Sequence, residues 1–182
     1  GKKQQVTAKM NYGPTQNTTI EVNTNYGKNG ITFITEGVEN ALSIKQVQSQ
    51  SQIISSFGVG QLKNLTIVPT TKTIVLCADN DGLSINTKKP ILDAVQRWLS
   101  QGYEVKVALP FDKDPLTKFD FNNLLKQQGT RAINKCLNDA ISIKNVFELG
   151  GRYLSLAQGI LQLKETRGQE RANKMIEATN KQ

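Results

Sequence analysis

The chain has no histidine and only two cysteines in 182 residues. A closed structural zinc site takes four nitrogen or sulfur ligands, so the chain cannot build one alone. Cys77 lies in the apolar run TIVLCAD and reads as a small buried hydrophobe. Two unclustered cysteines point to a reducing compartment, with one disulfide left open. No apolar run reaches the roughly 18 residues of a membrane span, and no signal-peptide core opens the chain. The expected setting is therefore cytoplasmic, with no membrane among the partners. Neither a P-loop nor a dinucleotide fingerprint is present, since GVGQLK lacks the third glycine and does not clearly open a helix after a strong strand. Internal repeats and low-complexity runs are absent. The opening GKKQQVTAK has no initiator methionine and reads as a boundary inside a longer protein.

What is present begins with charge. The formal net charge is +8. Residues 1–30 hold four basic and one acidic side chain, 31–144 thirteen and ten, and 145–182 six and four. No single tail accounts for the excess. A diffuse positive field favours a polyanion such as nucleic acid and speeds its encounter, although many soluble proteins are basic without binding one.

Patterning divides the chain into an irregular arm over 1–30, a core domain over 31–143 and a helical extension over 144–182 whose last residues fray. The arm is polar, with one short alternating stretch, TTIEVN. ITFIT reads as a strand, and VENALSIKQVQSQ carries apolar residues at helical spacing, so Glu36–Gly37 forms a strand-to-helix corner. IISS reads as a short strand and FGVGQ as a glycine loop. TKTIVLCAD is an almost unbroken apolar run that suits a central parallel strand. NTKKPILDAVQRWLSQG reads as a helix that buries Ile91, Leu92, Val95, Trp98 and Leu99 and stops at Gly102. YEVKVALP alternates as the next strand. DFNNLLKQQG opens a helix at Asp120, and TRAINKCLNDAISI continues as a second helical segment after Gly129. Strands alternating with helices make the expected class α/β with a mainly parallel sheet. Trp98 and Phe57 are expected in the core.

Three acidic fragments stand out against this background: Glu36 in ITFITEG, Asp79 and Asp81 in TIVLCADNDG, and Asp120 in KFDFNNLL. The first two follow apolar runs, which places their carboxylates at strand ends, where open α/β sheets hold their ligands. Convergent carboxylates with room between them suit a hard divalent cation, because Mg²⁺ takes oxygen ligands and keeps several waters. Without a cation such a cluster repels itself, and at least one member should hold its proton more tightly.

The order strand–Glu–Gly–helix, strand–Asp-x-Asp, strand–loop–acidic helix start resembles the Toprim domain of primases, topoisomerases and some nucleases. TEGVENAL is similar to the family's first motif, LCADNDG to its second, and FDFNNLL to a third element seen in primase-like and plasmid-transfer members. The resemblance covers roughly 31–128. It implies a Toprim-like, Rossmann-like sheet flanked by helices, and Mg²⁺ (or Mn²⁺) held by Glu36, Asp79 and Asp81. It further implies an acid/base role for Glu36 and phosphoryl or nucleotidyl transfer on DNA, single-stranded in the first instance, or RNA. Asp120 is the candidate for a second metal or for orienting a water. The motif wording is most like conjugative relaxase/primase proteins, in which other domains of the same parent would be partners, and an isolated domain would bind metal with weak or no turnover. Two positions depart from the family: Asn40 stands where many relatives carry Asp, and Asn123 where the third motif often ends in Asp. Lys118 lies two residues ahead of Asp120 rather than directly before it.

Plainer readings stand beside each of these. Glu36 alone is an ordinary acid at a helix start, stabilised by the dipole. Asp79–Gly82 alone is a turn, and Asp120 alone is a helix cap. Lys88 and Lys89, near a helix start that disfavours cations, are candidate phosphate contacts, as are Lys118 and Arg131. Solvated surface charge is the alternative for all four. The rival to an enzyme is a binding module on a Toprim-like scaffold, kept open by Asn40 and Asn123.

Overall fold

A computed structural model describes residues 19–23, 29–80, 89–112, 118–146, 148–149, 162, 165–171 and 173–174. Asp81, Lys88, the first part of the expected arm and most of the expected C-terminal extension lie outside the described residues.

β-branched and apolar sequence forms the centre of the sheet. Strands β2 (Ile31–Thr35), β3 (Gln52–Ser55), β4 (Thr73–Cys77) and β5 (Glu104–Ala108) run parallel. Two short antiparallel strands flank them, β1 (Ile20–Glu21) on β3 and β6 (Ile141–Ile143) on β5, giving the order β1-β3-β2-β4-β5-β6. The helices are α1 (Val38–Lys45), α2 (Lys89–Ser100) and α3 (Phe121–Asn138), with a 3-10 helix over Val59–Asn64.

Successive side chains in a strand point to opposite faces, so a strand that is apolar throughout must be covered on both. On one face Ile34, Ile74, Leu76, Val105 and Val107 pack with Leu62 of the 3-10 helix and with Ile91, Ala94, Val95 and Trp98 of α2. On the other, Phe33, Ile53, Val75 and Cys77 pack with Ala41 and Ile44 of α1 and with Phe121, Leu124, Ile133 and Leu137 of α3. The result is an α/β/α sandwich with a mainly parallel sheet, as the alternating pattern requires. At the N-terminal end of the sheet Thr32, Gln52 and Thr71 are buried. Thr32 bonds to both of the others, at 2.9 and 2.7 Å, so these polar groups are satisfied.

Several local expectations change. Ile141–Ile143 is an edge strand on β5 rather than more helix; α3 ends at Asn138, and the β-branched ISI finds an open strand edge. Val59–Asn64 is a 3-10 helix where a loop was expected, held against α2 by the Arg97 guanidinium, which donates to the carbonyls of Leu62 and Lys63. Trp98 is fully buried, as expected, but Phe57 is 43% exposed and has a φ of 54°. Gly129 (φ 77°, ψ −174°) interrupts α3, so its two halves are separate segments, as the sequence indicates.

Candidate metal and phosphate site

The chain leaves β2 to the β3 side and returns to β4 on the other, so the strand order reverses between β2 and β4. Open α/β sheets bind ligands in the crevice at such a switch point, beyond the carboxyl ends of the strands. Thr35 and Cys77, the last residues of β2 and β4, are register partners. Glu36 follows the first directly and Asp79 follows the second by two residues, so both carboxylates emerge at this crevice. Glu36, Cys77, Ala78 and Asp79 line one cleft, with Val59, Leu62, Leu76 and Ile91 as its apolar wall.

Glu36 is held through its backbone. Its carbonyl accepts from Ser55 Oγ at 3.1 Å and from the Gly58 N–H at 3.3 Å. Thr35 Oγ1 donates to the Gly37 carbonyl at 2.8 Å. Gly37 caps α1 with extended backbone (φ −101°, ψ 150°) and no side-chain bond. A Cβ at Gly37 would come no nearer than 3.5 Å to Glu39 and 4.0 Å to Asn40, so packing within the chain does not require glycine there.

Asp79 is bound by Asn40, whose Nδ2 donates to Oδ1 at 2.7 Å. Burial pushes the Cys77 thiol well up from its ordinary value, with smaller contributions from the nearby Cys136 and Asp79 charges. Cys136, remote in sequence, belongs to the same core and is pushed up to about 11, mainly by burial. Both are inert thiols packed as small hydrophobes.

The third acidic fragment is brought to the same end of the sheet. Asn80 and Phe119 exchange backbone hydrogen bonds at 2.9 and 3.1 Å, which docks the approach to α3 beside the end of β4. Asp120 then caps α3: its Oδ1 accepts from the Asn123 N–H at 2.7 Å, while Asn123 Oδ1 accepts from the Asp120 N–H at 3.2 Å. This reciprocal capping box gives both side chains a structural task. Among the basic candidates, Lys89 is exposed and paired with Asp93 at 2.6 Å, and Lys118 and Arg131 are exposed.

The residue that sequence reasoning undervalued is Asn40. It is 3% exposed, and it also accepts from the Asn122 N–H at 2.9 Å. Its signal was available: Asn40 falls on the buried stripe of α1 with Ala41 and Ile44, and a polar side chain on such a stripe needs a partner.

Residues 31–131 match the sequence model of the Toprim domain. The chain belongs to the Toprim domain family. No curated protein matches it. Among solved structures, this Toprim domain is similar to the Aquifex aeolicus primase (zinc-binding and RNA polymerase domains) at 17% identity and a TM-score of 0.48, over 74% of this chain and 34% of that one. A DnaG primase catalytic domain bound to single-stranded DNA is similar at 14% identity and a TM-score of 0.46, over 65% and 36%. A DNA primase domain from Pseudomonas aeruginosa is similar at 16% identity and 0.45, over 62% and 34%. The chain thus spans about a third of the primase chains that it matches.

For a cation, the donor chemistry fits. The Toprim cleft offers two carboxylates, and Mg²⁺ is commonly held by one or two carboxylates together with substrate phosphates. Among the described residues no group of three or more His, Cys, Asp or Glu side chains is close enough to form an all-protein cage.

Proposed function

We propose that this Toprim domain is the divalent-cation-dependent phosphoryl- or nucleotidyl-transfer module of a larger DNA-processing protein, of conjugative relaxase/primase type. One observation carries the reading: Glu36 and Asp79 leave adjacent parallel strands at the switch point and line one cleft. Glu36 and Asp79 would hold Mg²⁺ or Mn²⁺, joined by Asp81 from the same turn. The bound ion would polarise a phosphoryl oxygen and orient the hydroxyl in line. Glu36 would be the group that accepts or returns a proton. Asp120 holds the start of α3 in place through its capping bond and is the weaker metal candidate.

Single-stranded DNA or RNA would approach over exposed basic side chains, with Lys89, Lys118 and Arg131 as contacts and Lys88 as a further one. On this reading the chain divides into an irregular arm over 1–30, a Toprim-like domain over 31–143 and a C-terminal helical extension over 144–182, acting in the cytoplasm with other domains of its parent. The diffuse charge of +8 supports a polyanionic partner.

The test is a Mg²⁺ and Mn²⁺ titration of the isotope-labelled chain, following backbone amides, with Asp79→Asn/Asp81→Asn as control. Saturable shifts clustered at Glu36–Gly37 and Asp79–Gly82, absent from the control, are expected. No localised response up to tens of millimolar metal would defeat the reading. A second reading, a nucleic-acid- or partner-binding module, is favoured by the capping task of Asp120 and Asn123, which ties polar groups of the third fragment into the scaffold. Binding to single-stranded DNA that falls steeply with salt yet ignores Mg²⁺ would select it.

A further inference from the structure

One buried side chain joins the three acidic fragments. Asn40 stands in α1, which Glu36 and Gly37 lead into. It reaches Asp79, 39 residues on, and Asn122, 82 residues on. The polarity of this bridge is forced. A backbone N–H can only donate, so the carboxamide oxygen faces Asn122 and the NH₂ faces the Asp79 carboxylate. Among side chains of this size a carboxamide satisfies both without taking up a proton. An aspartate would keep the Asn122 bond and set a second negative charge within hydrogen-bonding distance of Asp79. A leucine would leave Asn122 N–H, one of the orphan donors of a helix start, without its acceptor.

We propose that Asn40 is a positioning residue of the cation site: it fixes the rotation of the Asp79 carboxylate and couples it to the first turn of α3. This rests on the cation reading above. The carboxylate's charge is shared along a short chain from Asp79 through the Asn40 amide to the Asn122 N–H, and such chains polarise one another in a low-dielectric setting. A cation that draws on Asp79 therefore alters the bond at Asn122. Hydrogen-bond partners of ligating groups typically account for about 10- to 100-fold in metal affinity, because an oriented ligand has less freedom left to lose. The structure thus makes the departure at Asn40 a functional substitution rather than a lost ligand.

The experiment follows the amides of Glu36, Gly37 and Asn122 during Mg²⁺ titration of wild type and Asn40→Ala. In wild type, Asn122 should move saturably with the same midpoint as Glu36 and Gly37. In Asn40→Ala it should be silent, and the Glu36–Gly37 midpoint should rise about 10-fold. A silent Asn122 in wild type, where Glu36 and Gly37 respond, overturns the coupling without any variant. A midpoint in folded Asn40→Ala within about twofold of wild type overturns the positioning role. Where Asn40→Ala does not fold, metal-free Asp79→Ala takes its place: the Asn122 amide should move from its wild-type position, and an unmoved Asn122 overturns the proposal. Those outcomes leave the cation reading standing. A wild type with no response at Glu36–Gly37 defeats that reading and this proposal together.

Discussion

The same substitution, glycine to alanine, should act with opposite sign at two places in this Toprim domain. Gly129 breaks α3 at φ 77° and ψ −174°, a region that is almost closed to other residues. The break lets both halves of α3 pack on one core, through Phe121 and Leu124 before it and Ile133 and Leu137 after it. A Cβ at Gly129 would meet nothing within 4 Å, so sterics against neighbours add nothing and the cost is purely backbone strain. Holding alanine there costs about 1–3 kcal/mol. The reduced freedom of the unfolded chain returns about 0.4–1 kcal/mol. Gly129→Ala should therefore destabilise by about 1.3 kcal/mol at the midpoints of these two ranges, about 2.6 kcal/mol at most. Gly60, in the 3-10 helix, has no positive φ and equally open space around its Cα. Only the unfolded-state term applies, so Gly60→Ala should stabilise by about 0.4–1 kcal/mol. Urea unfolding measures both, read by the fluorescence of the single tryptophan, fully buried Trp98, and in parallel by far-ultraviolet circular dichroism. Coincident transitions with shifts of the same sign at the two glycines would refute the reasoning.

Two further outcomes follow from local geometry. Phe57 has a φ of 54° and a half-exposed ring, so Phe57→Gly should be more stable than Phe57→Ala by about 1 kcal/mol; both lose the ring, but only glycine takes that backbone without strain, and equal urea midpoints would count against the strain. Glu104 is held below its ordinary value of 4.5 chiefly by the Thr73 hydroxyl, which donates at 2.8 Å, with help from Lys106. A lowered carboxylate stabilises the fold above the unfolded value, and that contribution disappears as pH falls through the folded one. Thr73→Val should therefore be less stable than wild type near neutral pH, with the gap closing in acid; a gap independent of pH would contradict the assignment.

Some of this protein was legible because the governing interactions are local. The unbroken apolar runs of β2 and β4 announce strands buried on both faces, and an acidic residue directly after such a run is carried to the sheet's carboxyl end. The Asp120 cap and the break at Gly129 likewise depend on residues within a turn of each other. The misread segments are those where a distant partner decides. ISI after α3 is strand because β5 presents an unpaired edge to it. Phe57 is exposed because Ser56 and Gly58, on either side, are bonded to the backbone of Thr35 and Glu36, which fixes the loop whatever the ring prefers.

The alternation of strands and helices and the family motifs are written in the residue order, since hydrophobic period and turn chemistry act over a few residues. That order also placed Glu36 and Asp79 at strand ends. The three-dimensional packing makes β2 and β4 neighbours at the switch point, so that these two carboxylates share a cleft. It alone decided the role of Asn40, because a hydrogen bond to Asp79 and another to the start of α3 span 39 and 82 residues of chain. Strand order and buried polar partners are set by how the whole core packs, and no local pattern encodes them.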